Sequence, residues 1–479
     1  MVFNSVEFLI FLPIVFVLYW HVFKPVRWQN FLIVVASYVF YGWWDWRFLS
    51  LIIFTSVCSY LSGVLIEKHQ NHGKAISATN IVINLLVLGL FKYFNFFVDT
   101  FATTMSSLGW HCDTPTLRLV LPVGISFYTF QALSYSIDVY RGKLRASHNL
   151  VDVMAFIGFF PQLVAGPIER ATDLLPQIQQ PRRFNEQDAT DGMRQMLWGF
   201  FKKMIVADTC GAVVDRMWDN YASHTGFTLF LSSALFAFQI YADFSGYSDI
   251  AIGCARLFGI RLTTNFKVPY FSRSIREYWR RWHITLMNWF TDYVYFPLGG
   301  SRGTKATTIR NTVIVFALSG LWHGANWTYV TWGLYNAFLF IPLIITGTGR
   351  YRDTVATGKM FPSLKEAIQM LATFILAALG LIIFRSPSLH DFAGYMSSML
   401  SSSLLQVGFG HEFKVALLYC LVMIVVEWLY RERRFALDFG PSPGGMLRHR
   451  WLRWTIYVGL FVFTILESGF HSNFIYFQF

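Results

Sequence analysis

Apolar stretches of roughly 17–25 residues, each able to cross ~30 Å of hydrocarbon as a helix, recur along the whole chain and limit its fold more than any motif does. They can be drawn near 5–23, 28–44, 47–66, 75–98 and 119–140, then near 194–214, 227–255, 311–326, 327–346, 366–385, 414–430 and 452–470. Only 14% of the residues are charged and 54% are hydrophobic, whereas soluble domains carry about a quarter charged residues. Two further apolar stretches, 150–168 and 284–300, are broken by Pro161, Pro167, Pro297 and glycines. Irregular backbone at membrane depth survives only where protein or a watery cavity satisfies it. These two read as re-entrant or interfacial segments around a central cavity. The predicted fold is therefore all-α, a polytopic transmembrane helical bundle of about ten to twelve spans. No internal repeat is visible, and residues 1–479 read as one membrane domain with its motifs concentrated in 120–340.

Loop charge orients such a bundle. Lys24 and Arg27 follow the first span, Lys68 and Lys74 the third, and Arg141, Lys143 and Arg145 the fifth. Arg431, Arg433, Arg434, Arg448, Arg450 and Arg453 crowd one late loop, while 386–413 has no Lys or Arg. The expected N-terminus lies outside a bacterial inner membrane. The net charge of +12 is thus loop charge facing lipid headgroups and cytoplasm. No nucleic-acid module accompanies it, and no nucleic-acid partner is expected. Five scattered cysteines without a CxxC pair indicate neither a zinc site nor a disulfide framework. The triplet His111-Cys112-Asp113 is a weak metal candidate, and no metal is expected. The first apolar run lacks a basic leader and a small-residue cleavage site, so it is expected to be a retained span.

Ionisable groups inside apolar runs are costly and are functional candidates by default. His323 stands in Leu318-Ser-Gly-Leu-Trp322-His323-Gly-Ala-Asn326-Trp327, beside a glycine that admits close approach. From position alone, a catalytic and a packing histidine are equally good readings. His283 follows a basic stretch containing Lys267, Arg273, Arg276, Arg280 and Arg281 against one acid, Glu277. That stretch reads either as positive-inside loop charge or as a phosphate-binding entrance, because guanidinium forks suit phosphates. The interleaved Trp279 and Trp282 would stack on a base or sit at headgroup level. Asp243 and Asp249 lie six apart in an apolar region, either bonding loop amides or the arginines, or serving substrate. Phe159 to Arg170 places polar groups in a Pro/Gly-broken segment, as a helix break or a substrate contact. Gly299 to Lys305 lacks the Gly-Lys-Ser/Thr ending of a phosphate loop, and neither a G-x-S-x-G elbow nor an H-E-x-x-H helix occurs.

Together these elements resemble the membrane-bound O-acyltransferase family, in its bacterial branch similar to polysaccharide O-acetyltransferase membrane subunits. The resemblance is carried by Val2-Phe3 with Phe11-Leu12-Pro13, Ala36 to Tyr41, Lys92 to Phe96, and Leu121 to Gln131. It continues through Phe160-Pro161-Gln162 to Ile168, Asp243 to Asp249, Trp279-Arg-Arg-Trp-His283, Trp322-His323-Gly324 and the ending Phe474 to Phe477. Met287-Asn288 depart from it, standing where small hydroxyl residues are expected.

The resemblance implies acyl transfer, with His323 as the central catalytic histidine and His283 as its partner. Arg273, Arg276, Arg280, Arg281, Trp279, Trp282, Asp243, Asp249, Trp322 and Asn326 would form the substrate-binding set. It further implies no bound cofactor, an acyl thioester such as acetyl-CoA as donor, and an acceptor hydroxyl presented from outside. An extracytoplasmic SGNH-hydrolase-like partner would carry the acyl group to a polysaccharide. The chemistry agrees with the residues: a neutral imidazole can take a hydroxyl proton, and burial disfavours its charged form. Alternative readings are D-alanyl transfer toward teichoic acid from a carrier protein, a transporter or flippase with proton-relaying histidines, and a scaffold for exopolysaccharide assembly.

Overall fold

The computed structural model describes residues 1–110, 119–351, 353–440, 448–467 and 474. His111-Cys112-Asp113 and residues 475–477 lie outside them. Among the described residues every regular element is helical. Five helical stretches are long and apolar enough to cross a membrane: Val26–Lys68, Gln70–Ser107, Gly226–Leu257, Trp327–Thr346 and Leu364–Arg385. Their outer surfaces carry exposed large apolar side chains such as Leu86, Phe338 and Leu371, a pattern water does not tolerate over wide patches. The chain is an all-α, multi-pass membrane protein. It divides into two compact units, one of Met1–Asn185, Ala255–Leu262 and Gly324–Asn326, the other of Glu186–Cys254, Thr263–His323 and Trp327–Phe479.

The first unit shows how a broken apolar segment is kept satisfied. Residues 150–168 fold as a helix, Leu150–Gly158, a break at Phe159 and a single turn, Phe160–Leu163. All of it from Ala155 to Ile168 is buried. The break leaves amides that the helix cannot pair, and side chains take over. Phe160 N donates to Ser37 Oγ at 3.0 Å, and Gln162 Nε2 donates to the Phe156 carbonyl at 2.8 Å. Asn30 ties the same helix's start to its neighbours, donating to Asp152 and to the Ile178 carbonyl.

The second unit is organised by a glycine seam. The helix Glu186–Phe200 continues through a π-helical turn, Phe201–Ala207, into Asp208–Asp219. It lies against the 32-residue helix Gly226–Leu257, about 48 Å long at 1.5 Å per residue. Gly192 and Gly199 on the first helix meet Gly253 and Gly246 on the second. A Cβ built at Gly199 would sit 2.7 Å from the Gly246 carbonyl oxygen, and one at Gly246 would sit 2.8 Å from the Gly199 carbonyl oxygen. Lipid tails are as apolar as the side chains, so tight backbone contact supplies the packing that brings such helices together. Gly320 and Gly333 do the same for the hairpin of Lys305–His323 and Trp327–Thr346, each facing a carbonyl of the other helix. The hairpin turn follows immediately on His323. Cys210 and Cys420 bring their thiols to 3.5 Å without a disulfide.

Filling the seam is expected to destabilise the protein. Gly199→Val should lower the thermal unfolding midpoint in detergent, with about 1–3 kcal/mol lost to overpacking. Gly89→Ala, where a Cβ meets nothing within 4 Å, should leave the midpoint unchanged in the same fluorescence melt.

Candidate active site

The seam sets two adjacent lysines of the π-helical turn against the carboxylates of the Gly226–Leu257 helix. Lys203 Nζ lies 2.7 Å from Asp208 and 2.8 Å from Asp243. Lys202 Nζ donates to Asp249 at 2.6 Å and to Ser245 Oγ at 2.9 Å, and stands 3.8 Å from Glu427. Tyr241 Oη donates to Glu427 at 2.8 Å, and Gln195 Nε2 donates to Asp249 at 2.7 Å. Asp243 and Asp249 therefore pair with lysines, and the sequence-based alternative of arginine partners is corrected. The lysines win because the tight helix seam delivers them to the same face. Glu427, Lys202, Lys203 and Asp208 were missed from sequence, although each is an ionisable group inside an apolar run. Their partners lie up to about two hundred residues away, beyond any local pattern.

Both histidines belong to this unit. His323 ends its helix and His283 precedes the short helix Ile284–Phe290. Both are buried, with ring centroids 6.3 Å apart and planes inclined at 55°. Phe244 approaches His283 edge-on at 4.7 Å, and Phe266 lies nearly parallel to it at 6.3 Å. Trp332 and Phe384 stand edge-on to His323 at 5.1 and 5.3 Å. Trp322 sits 4.9 Å from His323 and 5.7 Å from His283. The result is an aromatic cage around two imidazoles. His283 itself has φ +44° and ψ +51°, the left-handed region that few residues other than glycine occupy. Such backbone is retained where the surroundings over-determine it, commonly at functional sites.

The basic stretch before His283 is largely committed to internal pairing. Ser274 caps the helix Ile275–Trp279, and Glu277 in its first turn receives Arg273 at 3.2 Å and Arg281 at 2.7 Å. Arg273 also reaches Asp353 and Glu366 and lies over the Tyr351 ring at 4.1 Å. Its hydrogen bonds hold the Asp353 carboxyl below the usual carboxylate range. Arg276 donates to the carbonyls of Thr348 and Leu343, and Arg280, exposed, donates to that of Tyr351. Trp279 and Trp282 are buried. Trp279 donates to Asn336 at 3.2 Å, and Trp282 stacks on Tyr278 at 5.5 Å. Their expected place on a base or at headgroup level gives way to core packing, because Phe316, Trp332 and Phe266 close over them. Asn326 stands half-buried in the three-residue break after His323.

A cavity of about 50 Å³ lies beside this cage. Lys202, Tyr241, Asp249 and Glu427 form part of its lining, and Phe266 is shared with the surroundings of His283. Exposed Lys267, Arg433 and Arg434 also line it.

Fold and site together define a multi-pass membrane protein with a buried histidine pair beside a polar cavity. The sequence model of MBOAT, the membrane-bound O-acyltransferase family, matches residues 38–351, and the chain belongs to that family. It is an acyltransferase. It is 40% identical over 405 residues to a protein named probable alginate O-acetylase AlgI from Pseudomonas syringae pv. tomato, covering 84% of this chain and 75% of that one. It is 32% identical over 398 residues to the peptidoglycan O-acetyltransferase of Helicobacter pylori, covering 77% and 73%. The teichoic acid D-alanyltransferase of Bacillus subtilis is 27% identical over 292 residues, covering 58% and 71%.

Removing one partner of a buried pair strands the other charge, at a cost of about 3–5 kcal/mol. Lys203→Met should therefore sharply reduce the yield of folded protein in size-exclusion profiles. Adding Asp208→Asn and Asp243→Asn to the same chain should restore much of it.

Proposed function

We propose that the protein moves an acetyl group from acetyl-CoA, reaching the site from the cytoplasm, to a hydroxyl presented on the extracytoplasmic face of a bacterial inner membrane. The single observation carrying this reading is the pair of buried histidines, 6.3 Å apart, in an aromatic cage. His323 takes the proton from the acceptor hydroxyl as its oxygen attacks the thioester carbonyl carbon. The C–S bond breaks, the thiolate leaves and regains a proton, and an ester remains. His283 orients the imidazole or polarises the carbonyl. Asp243 and Asp249, paired with the lysines, hold the cavity floor in place, and Trp322 and Asn326 shape the end of the helix that carries His323.

The donor's phosphates are assigned to the exposed cations Lys267, Arg433 and Arg280, with the acyl arm in the cavity. Arg273, Arg276 and Arg281 keep the loop in shape through Glu277 and nearby carbonyls. The N-terminus lies outside, on the argument of loop charge. The alginate O-acetylase name of one relative favours O-acetylation of an exopolysaccharide, and the family resemblance suggests an SGNH-hydrolase-like extracytoplasmic protein as the relay. D-alanyl transfer from a carrier protein is the second reading, supported by the more distant teichoic acid relative.

Purified protein given radiolabelled acetyl-CoA and its acceptor should transfer label, and His323→Ala should lose roughly 10²–10⁴ in rate while remaining inserted and folded. Wild-type-like transfer by folded His323→Ala protein would end the assignment. Label passing only from a D-alanyl carrier would favour the second reading. Lys267→Ala with Arg433→Ala should raise KM for acetyl-CoA about tenfold through lost charge-assisted contacts, with kcat little changed.

A further inference from the structure

We propose that Asn265 is a positioning residue for His283, fixing the left-handed backbone that aims this imidazole at His323. The inference rests on the histidine pair being the reacting site, as proposed above. It goes further by naming the group that keeps the pair at its working distance.

The strand of chain at 265–267 runs alongside 281–285 and brackets His283 from both sides. Lys267 N donates to the Arg281 carbonyl at 2.9 Å, and Ile284 N donates to the Asn265 carbonyl at 2.9 Å. Between those two bonds lies the residue with φ +44°. The Asn265 side chain adds a second clamp. Its Oδ1 accepts from Thr285 Oγ1 at 2.9 Å and from Thr285 N at 3.3 Å. Its Nδ2 donates to Ser248 Oγ at 3.3 Å. Asn265 is fully buried, so these bonds have no competition from water.

The physical logic is that of a helix cap supplied from elsewhere in the chain. The first amides of a helix have no partner within it, and a cap residue usually supplies one from its own side chain. At the start of Ile284–Phe290 the cap position is His283, whose side chain makes no capping bond. Asn265 serves in its stead, accepting from Thr285 N, while Ser248 anchors Asn265 to the helix that carries Asp243 and Phe244. The imidazole of His283 stands in the aromatic cage. Without the clamp, the backbone at 283 would relax toward the right-handed or extended regions favoured by residues with a Cβ. The ring would then swing away from His323.

Asn265 also lines the cavity assigned to the donor, so binding and positioning must be told apart. The test is a double-mutant cycle on the full-length, detergent-purified protein, using radiolabelled acetyl-CoA and monitoring folding by size exclusion and thermal melt. Glycine at 283 removes the ring without backbone strain, so His283→Gly is the reference background. Asn265→Ala should lower kcat about 10- to 100-fold with KM for acetyl-CoA within about twofold. In the His283→Gly background the same change should cost less than about twofold. Thr285→Val, the milder variant should Asn265→Ala fail to fold, should show the same coupling at about three- to tenfold, and Thr285→Ser should restore kcat. Equal losses in both backgrounds, or a loss confined to KM, would overturn the positioning role and leave the proposed function standing. Wild-type turnover by His283→Gly protein would instead overturn the partner role of His283, and this inference with it.

Discussion

The second unit depends on placing two ammonium groups among four carboxylates in a low-dielectric interior, each ammonium set between two of the carboxylates. An isolated charge there costs several kcal/mol, and only good geometry offsets it. Lys203 between Asp208 and Asp243, and Lys202 between Asp249 and Glu427, supply that geometry. The glycine contacts at 199 and 246 are what bring the backbones close enough for these short bridges. Packing and electrostatics are thus one constraint: side chains at the glycine positions would separate the helices, and separated helices would leave the charges without partners.

The histidine cage is the complement of this network. Its walls are Phe244, Phe266, Trp322, Trp332 and Phe384, and Lys202, Asp249 and Glu427 line the neighbouring cavity. Phe244 stands next to Asp243 in the chain, so one helix presents an apolar edge to an imidazole and a carboxylate to a lysine within two residues.

Much of this could be read from the residues alone, and the reasons are physical. Helical spans follow from run length, so the all-α bundle and the broken segment at 150–168 were legible. His323 stood out because an ionisable ring in an apolar run is costly wherever it points, and His283 because it follows a dense basic stretch. The lysine partners of Asp243 and Asp249 were not legible. Lys202 and Lys203 lie inside an apolar run, but their partners emerge only when a π-helical turn and a helix about 40 residues on are placed together. The arginines before His283 misled for a related reason: charge density in sequence does not show that Glu277, only four residues from Arg273 and from Arg281, already occupies two of them. Trp279 and Trp282 likewise resembled an interface belt, since alternation with arginines says nothing about the rings packed over them.

The π-helical turn at Phe201–Ala207 has a consequence for how this chain can change over time. A π-turn amounts to one residue more than a regular helix needs, and here it lets consecutive lysines serve different carboxylates. Deleting any single residue from it would restore ideal α-helical geometry, a gain in local regularity. The same deletion would rotate the lysines about 100° relative to one flank of the helix and pull both from their partners at once. The irregularity is therefore held in place by two ion pairs simultaneously, and a lineage could discard it only by exchanging several buried residues in concert.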